Sequence, residues 1–380
     1  MKKFPLSIFS KLTNKYEPSS ENELDELILQ STSEQLASKE YMYFSKPDQK
    51  TFLPNDKQNL RNLRIPIGKE KGKKKKNTIN KQSTIIGSDL TIGFSDYRRP
   101  TEEEIYSLSD LLLALDKIEK RDSITIASLR RNLLLLMLIP LNPSKEFSLN
   151  IIRWENYLII DKDWTTDSLI SQINNLNLEN SDTDLLSYTG FRFEDLVTEN
   201  EEEDSQGNFY TVTGHDISGT SVVFTAEIDA SVKGKDGLSG YVELKSHRYS
   251  KNSTIDLKLS RKLLSSWCQT RLISGKYVVI GFRKKSETYN LAAIKTYDTN
   301  DIPNLLHSKG QPVYVSMDDK DSQITCQKLL KWYQCVMAWI IQEIGSSQTS
   351  HTLMYDPESR ELKLTPSTEN IRPSWMNTTN

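Results

Sequence analysis

Two short strings constrain this chain more than anything else in it: Ala226-Glu227-Ile228-Asp229 and Val242-Glu243-Leu244-Lys245. Each sits in a β-like apolar run, after Val222-Val223-Phe224 in the first case and after Gly240-Tyr241 in the second. Alternate residues of a strand share a face. Glu227 and Asp229 are therefore predicted on one face, and Glu243 and Lys245 on one face of the next strand. A β-hairpin across the Gly- and Lys-rich segment Ala230 to Ser239 would set the two strands side by side and let Asp229 and Glu243 converge. Two carboxylates on one strand face repel each other unless a cation lies between them. Three carboxylates beside one ammonium suit a hard divalent cation such as Mg²⁺ or Mn²⁺, which prefers oxygen ligands. That is the chemistry of metal-dependent phosphodiester cleavage, with the lysine holding the attacking water and neutralising charge on the phosphate. Taken alone, carboxylate-x-lysine also describes a solvated cross-strand face. It is the pair Glu227 and Asp229 inside an otherwise apolar strand that favours the metal reading.

The bulk composition excludes several classes. At 380 residues, 36% apolar and 26% charged, the chain is an ordinary soluble globular protein with a large core. Its formal net charge of −2 provides no global field for nucleic acid, so any RNA contact must use a local patch. Three cysteines (Cys268, Cys326, Cys335) have neither disulfide-framework nor CxxC spacing, and the four histidines are scattered, which argues against a secreted scaffold and a zinc site. The N-terminal apolar stretch is too short and too broken for a signal peptide, and Leu133 to Pro140 is far short of a membrane span. The expectation is an intracellular protein with no membrane partner.

Residues 1–85 read as a polar N-terminal extension, partly packed on the core, with a Lys-rich mobile loop at Lys69 to Lys76; residues 86–380 read as one catalytic domain. Within it the periodicity predicts helices over Glu103 to Lys117, Leu129 to Leu138, Asp184 to Val197, Ser260 to Ile273 and Gln323 to Ile344. It predicts strands at Phe209 to Thr213, Ser221 to Asp229, Gly240 to Lys245, Tyr277 to Phe282 and Leu291 to Thr296. Hairpins are predicted around Glu155-Asn156 and between Leu353-Met354-Tyr355 and Leu362-Lys363-Leu364, and Glu199 to Gly207 is an acidic loop. The class is α/β (α+β), with mostly antiparallel neighbours and crossing helices. Glu194, at the end of Gly190-Phe191-Arg192-Phe193-Glu194, is either a surface helix carboxylate or a further metal ligand acting through water. Gln269 follows Lys262 by seven residues, so the two share a helical face able to reach a phosphate or the attacking water. Trp267, Trp332 and Trp339 read as core. No GxxxxGKS, GxGxxG, HExxH or GxSxG occurs, against NTPase, dinucleotide, zincin and serine-hydrolase chemistry.

Taken in order, these strings resemble the DXO/Rai family of RNA 5′-end decapping nucleases. Gly190-Phe191-Arg192-Phe193-Glu194 is similar to that family's glycine-aromatic-x-aromatic-glutamate motif, Glu227-Ile228-Asp229 to its glutamate-hydrophobic-aspartate motif, and Glu243-Leu244-Lys245 to its glutamate-hydrophobic-lysine motif. Lys262 to Gln269, running on to Gly281-Phe282-Arg283, resembles the family helix and following strand. The match spans about 95 residues, with weaker similarity from Gly93 to Lys331-Trp332-Tyr333. The family's first motif is an arginine on an earlier helix. Arg130 is favoured for it, since that keeps Leu133 aligned with a family leucine; a different gap would leave Ala127 there or would use Arg131, and this chain carries Arg131 where the family usually has glycine.

The resemblance implies two mixed β-sheets forming a central sandwich flanked by helices on a PD-(D/E)xK-nuclease-like core. It implies catalysis by Glu194, Glu227, Asp229, Glu243, Lys245 and Gln269. It also implies one or two Mg²⁺ or Mn²⁺ ions held by Glu194, Glu227, Asp229, Glu243 and Leu244, and substrate contacts from Arg130, Lys245 and Gln269. The expected substrates are RNA 5′ ends bearing a triphosphate, an incomplete or unmethylated cap, or an NAD cap, left as 5′-monophosphate RNA, with 5′→3′ exoribonuclease activity in some members. One fungal branch is nuclear and binds the nuclear 5′→3′ exoribonuclease; another acts alone in the cytoplasm. The Lys-rich run tilts the expectation to the nucleus. Two other readings stay open: a non-catalytic subunit of that exoribonuclease, which the intact metal set argues against, and a DNA endonuclease, which cutting of a 2′-deoxy substrate would reveal.

Overall fold

The computed structural model describes residues 1–12, 36–67, 84–100, 108–118, 125–162, 181–199, 207–250, 255–285, 288–307, 323–345, 347 and 349–367. The Lys-rich run, residues 200–206 of the acidic loop and residues 103–107 of the first long helix expected lie outside them.

In chain order the elements begin with β1 (Lys2–Pro5), α1 (Ile8–Lys11), β2 (Lys39–Lys46), β3 (Leu53–Pro54), β4 (Asn62–Leu63), α2 (Ser109–Leu115), β5 (Thr125–Leu129), α3 (Arg130–Met137), β6 (Phe147–Trp154) and β7 (Tyr157–Lys162). They continue with α4 (Ser181–Val197), β8 (Thr198–Glu199), β9 (Asn208–Ile217), β10 (Thr220–Glu227), β11 (Ala230–Ser231), β12 (Tyr241–Arg248), α5 (Leu257–Leu272), β13 (Tyr277–Lys285), β14 (Tyr289–Asp298), α6 (Ile302–Leu306), α7 (Cys326–Ile344), β15 (His351–Asp356) and β16 (Glu361–Pro366).

Two mixed sheets result. A ten-stranded sheet runs β1-β16-β15-β6-β7-β5-β10-β9-β2-β3, and a six-stranded sheet runs β14-β13-β12-β11-β4-β8. The first 85 residues, polar in composition, place β1, β2 and β3 in the large sheet and β4 in the small one. The hairpin joining β9 to β10 turns at Ser218 and Gly219, both at positive φ (50° and 79°), the backbone that a two-residue turn between twisted strands requires.

The main core lies where both sheets meet α3, α5 and α7. Val222, Phe224 and Ile160 come from the large sheet, Val278 and Ile280 from the small one, and Leu133, Leu263 and Trp332 from the helices. Two of these helices have a side-chain cap at their start. The Asp256 side chain caps α5 by accepting the Leu259 N–H at 2.7 Å, and Thr325 caps α7 by accepting the Lys328 N–H at 3.1 Å. Trp332 and Trp339 are core, with the Trp332 indole donating to the Leu136 carbonyl at 2.9 Å. On the outer face of the small sheet, α4 inserts Phe193 and Val197 against Val242, Leu244 and Val279. That packing aims the C-terminal half of α4 at the seam between the sheets.

The two strands that carry the acidic strings do not form the hairpin expected of them. The strand expected to reach Asp229 ends at Glu227, in the large sheet, and Glu243 lies on β12, in the small sheet. Between them the chain changes sheets within a few residues. The Ile228 N–H still donates to the Phe209 carbonyl at 2.9 Å, and Ala230 already pairs with Val242. The apolar Ile228 continues the alternation of β10, so the pattern alone shows no break. The backbone breaks because the N–H of Ile228 and the pairing of Ala230 go to partners in different sheets.

Asp161 is a buried carboxyl near the end of β7, only 6% exposed, whose oxygen accepts the Lys162 N–H at 2.7 Å. Burial pushes its pKa up to about 7. A carboxyl with a raised folded pKa adds nothing adverse below its unfolded pKa of about 3.9; the penalty grows as pH rises toward 7 and stays constant above it. Asp161→Asn is therefore expected to leave the melting temperature unchanged at pH 4 and to raise it at pH 8, by about 1–3 kcal/mol of stability. Thermal scans at the two pH values check this, and an equal shift at both would contradict it.

Candidate active site

The sheet change places four carboxylates and two cations around one seam. Glu227 ends β10, Asp229 follows in the crossing, Glu243 and Lys245 lie on β12, and Glu194 comes from α4. Asp229 is oriented by the small sheet's own backbone, since its Oδ2 accepts the Leu244 N–H at 2.7 Å. Glu243, 4% exposed, is clamped from two sides. Its Oε1 accepts from the Lys245 ammonium, and its Oε2 lies 3.5 Å from Nη1 of Arg130. Arg130 also donates from Nη2 to the Glu227 carbonyl at 3.0 Å, so one guanidinium ties the end of β10 to β12. Its Nη1 is buried and lacks a hydrogen-bond partner among the described residues.

Water reaches these groups, yet protein surrounds them, as on the floor of a pocket. Glu227 is exposed, and Asp229, Glu194 and Lys245 are half-buried. Burial, then the neighbouring Glu243, pushes the Asp229 carboxyl up to about 7 against the pull of Lys245 and the Leu244 N–H. Burial and the Asp229 charge hold Glu194 well above the usual carboxylate range. Burial also raises Glu227, opposed by Arg130 and Arg131. Burial alone would lower Lys245, but Glu243, Asp229 and Glu194 more than offset it and keep the ammonium charged. The cluster has an excess of carboxylate over cation, which a divalent ion would relieve.

The donor set therefore fits Mg²⁺ or Mn²⁺: hard oxygens from several elements, with no cysteine or histidine among them. Among the described residues no three acidic, histidine or cysteine side chains are yet grouped to hold one ion. The reason is visible in the contacts. Glu243 is turned onto Lys245 and Arg130, and Asp229 onto the Leu244 amide. Ligation would require Glu243, both of whose oxygens are engaged, to turn off one of its cations, whereas Asp229 keeps Oδ1 available. The Leu244 side chain is fully buried and apolar, so only its backbone carbonyl can serve.

A second group of cations adjoins the cluster. On α5, Lys262 and Gln269 lie seven residues apart on one face, both half-buried. Burial and the charges of Lys245 and Arg283 lower Lys262 to about 8. Arg283 on β13 donates to the Ser246 hydroxyl at 2.9 Å, and Gly190 of α4 packs over that hydroxyl. The sequence reading put Lys262 on the face of Gln269 and Arg283 on the family strand, but gave Arg283 no role beside the carboxylates. Their signal lay in position, with Lys262 one turn into the helix after β12 and Arg283 in register with Arg248.

Gly281 sets the distance between α4 and the small sheet. A Cβ there would lie 2.4 Å from Phe193, a ring with no exposure. Gly281→Ala is expected to cost about 1–3 kcal/mol by overpacking. It should also lower turnover beyond what unfolding explains, because Phe193 precedes Glu194. Melting temperature and activity of the folded fraction check this; full activity per folded molecule would contradict it.

Comparison with known proteins gives the family and the fold. The model of the family described as RAI1 like PD-(D/E)XK nuclease matches residues 37–377. The decapping nuclease RAI1 of Scheffersomyces stipitis is 25% identical over 320 residues, covering 74% of this chain and 79% of that protein. Among solved structures, Candida albicans Rai1 in complex with pU5 and Mn²⁺ superposes with a TM-score of 0.72 at 22% identity, covering 89% of this chain and 92% of the other. Kluyveromyces lactis Dxo1 in complex with manganese superposes at 0.64 and 21% identity, covering 90% and 94%. With two mixed sheets, an acidic seam between them and a family match over most of its length, the chain belongs to the RAI1-like PD-(D/E)XK nucleases.

Proposed function

We propose that the chain is a divalent-metal-dependent hydrolase of RNA 5′ ends. It would release pyrophosphate from 5′-triphosphate RNA, or an incomplete, unmethylated or NAD cap as a unit, and leave 5′-monophosphate RNA. The observation that carries the reading is the seam itself: Glu194, Glu227, Asp229 and Glu243 converge from both sheets and α4 on Lys245. Glu194, Glu227, Asp229, Glu243 and the Leu244 carbonyl would hold Mg²⁺ or Mn²⁺. A divalent ion there supplies charge stabilisation on the phosphate and lowers the pKa of water. The chain's own groups do the rest. Lys245, kept charged by three carboxylates, orients the attacking water and meets charge growing on the phosphate. Gln269 can donate or accept at the same water. Arg130, held at the seam by Glu243 and the Glu227 carbonyl, contacts a 5′ phosphate. Lys262 and Arg283 offer cations to the RNA backbone beyond the cleaved bond.

Relatives give the reading its substrate class: a named decapping nuclease in Scheffersomyces stipitis, and a Candida albicans structure carrying pU5 and Mn²⁺. The same reading extends to a nuclear location and to a nuclear 5′→3′ exoribonuclease as partner. A 5′-monophosphate end is the entry substrate for such an enzyme, and a direct complex raises its effective concentration. The test is the purified protein with Mg²⁺ or Mn²⁺ and RNAs bearing a triphosphate, an unmethylated cap, an NAD cap or a monophosphate, with the released product identified. Metal-dependent appearance of 5′-monophosphate RNA is expected. Equal cutting of the 2′-deoxy oligomer, or no metal-dependent product from any RNA, would overturn the reading.

A further inference from the structure

Next to the acidic seam, α4 carries a group of aromatic side chains that neither the core nor the metal chemistry uses. The segment after Leu90 is folded back onto this helix. Gly93, at φ 89°, turns it so closely that a Cβ there would lie 2.5 Å from the Tyr188 hydroxyl, and that hydroxyl donates to the Ile92 carbonyl. Arg99 Nη1 lies 3.4 Å from Oδ1 of Asp184, which ties the segment to the first turn of α4. Four rings meet between these fastenings. Phe94 and Tyr188 have centroids 5.6 Å apart, Tyr97 and Tyr188 5.2 Å, and Tyr97 and Phe191 5.7 Å, all tilted. The packing leaves much of the group in water. Phe191 is 45% exposed, Ile92 and Leu186 on the same two segments are exposed, and Phe94, Tyr97 and Tyr188 are only half-buried.

The place of this patch indicates what it meets. Phe191 precedes Glu194 by one turn of α4, and Gly190 packs over the Ser246 hydroxyl to which Arg283 donates. Arg248 follows Ser246 by two residues on β12, so the two share a face, and Arg248 is exposed. Exposed rings beside a line of guanidinium groups, starting at the proposed hydrolytic centre, match unpaired nucleotides. Bases stack on the rings and the cations follow the backbone. A protein partner would also cover apolar rings, but it has no need of this continuity with the seam. We infer that Phe191 and Tyr97 form a stacking platform for bases of the single-stranded RNA that leads away from the seam, with Arg248 on the phosphates beside them. The inference rests on the proposed RNA 5′-end chemistry for the presence of RNA at the seam. Phe94 and Tyr188 anchor the platform and take no base. Every base has a π-face, so the platform is indifferent to sequence and selects unpaired over paired RNA.

Fluorescence anisotropy of labelled oligouridines tests the platform, with divalent metal withheld during binding. A series from two to eight nucleotides is compared first. The longest member is then measured with one base at a time removed to leave an abasic ribose. Wild type is expected to gain affinity in a step once a base reaches the rings, and to lose about tenfold when that base is removed. Phe191→Ala should lose about the same tenfold on intact RNA and be insensitive to the abasic site. Phe191→Trp should keep both the affinity and the sensitivity. Arg248→Gln should weaken every RNA that spans the step, abasic or intact, and bind with a shallower dependence on salt. All three should fold, because Phe191 and Arg248 are exposed, and with Mg²⁺ or Mn²⁺ all three should turn over a two-nucleotide RNA at the wild-type rate. An abasic penalty as large in Phe191→Ala as in wild type, or no length step in wild type, would overturn the platform even if the enzyme is active. A length step that Phe191→Ala abolishes, with no metal-dependent turnover of any RNA, would instead sink the hydrolase reading and spare the platform.

Discussion

Asp229→Asn and Glu243→Gln are each expected to lower turnover of RNA 5′ ends by about a thousandfold, a barrier increase of about 4 kcal/mol, while moving stability in opposite directions. Each removes one negative oxygen donor from the set that would hold the metal. Asparagine keeps an oxygen able to accept the Leu244 N–H, now at 2.7 Å from Asp229. It also relieves the repulsion from Glu243 that helps raise this group, and the repulsion it exerts on Glu194. The metal-free Asp229→Asn protein should melt at or above the wild-type temperature. Glu243→Gln instead strips the counter-charge from Lys245 and from the buried Arg130. Breaking one side of a buried pair costs about 3–5 kcal/mol, so its melting temperature should fall by several degrees. Kinetics and calorimetry on both variants decide the matter. Wild-type turnover by a folded Asp229→Asn chain would remove Asp229 from the metal set.

Lys245→Gln is the second large effect. Its charge is worth most when the phosphate becomes more negative, so the loss should fall on kcat, by about 10²–10³-fold, with little change in KM. Stability should follow a distinct pattern. Without Lys245, the carboxyls of Glu243, Asp229 and Glu194 lose the cation that they jointly hold charged. The metal-free variant should melt lower than wild type, and Mg²⁺ or Mn²⁺ should return more of the loss than it adds to wild type. An unchanged kcat would show that Lys245 only balances charge.

Much of this was legible in the sequence because it depends on local pattern. The helix with two arginines at its start, the α5 helix, the hairpin turning at Glu155-Asn156 and the three core tryptophans follow from apolar spacing and turn chemistry. That Asp229 comes to lie against the strand of Glu243 was legible too, but the route to it was not. Alternation continues through Ile228, and only its bond to Phe209 in one sheet and the pairing of Ala230 in the other reveal the crossing. Strands β1 to β4 were hidden by polar composition. They are short or lie near sheet edges, where pairing to distant partners such as β9 and β16 decides the structure. The role of Arg283 was silent for the same reason. It reaches the site through strand register, which one sequence does not encode in any single window.

The central claim is that carboxylates from two sheets and α4 close on a divalent ion at this seam. Anomalous diffraction from crystals soaked in Mn²⁺ tests it directly. The account predicts a peak bounded by Asp229, Glu243 and the Leu244 carbonyl, with Glu243 turned away from Lys245, and its disappearance in Asp229→Asn crystals. A well-occupied Mn²⁺ peak elsewhere, with Glu243 still on Lys245 and Arg130, would contradict it.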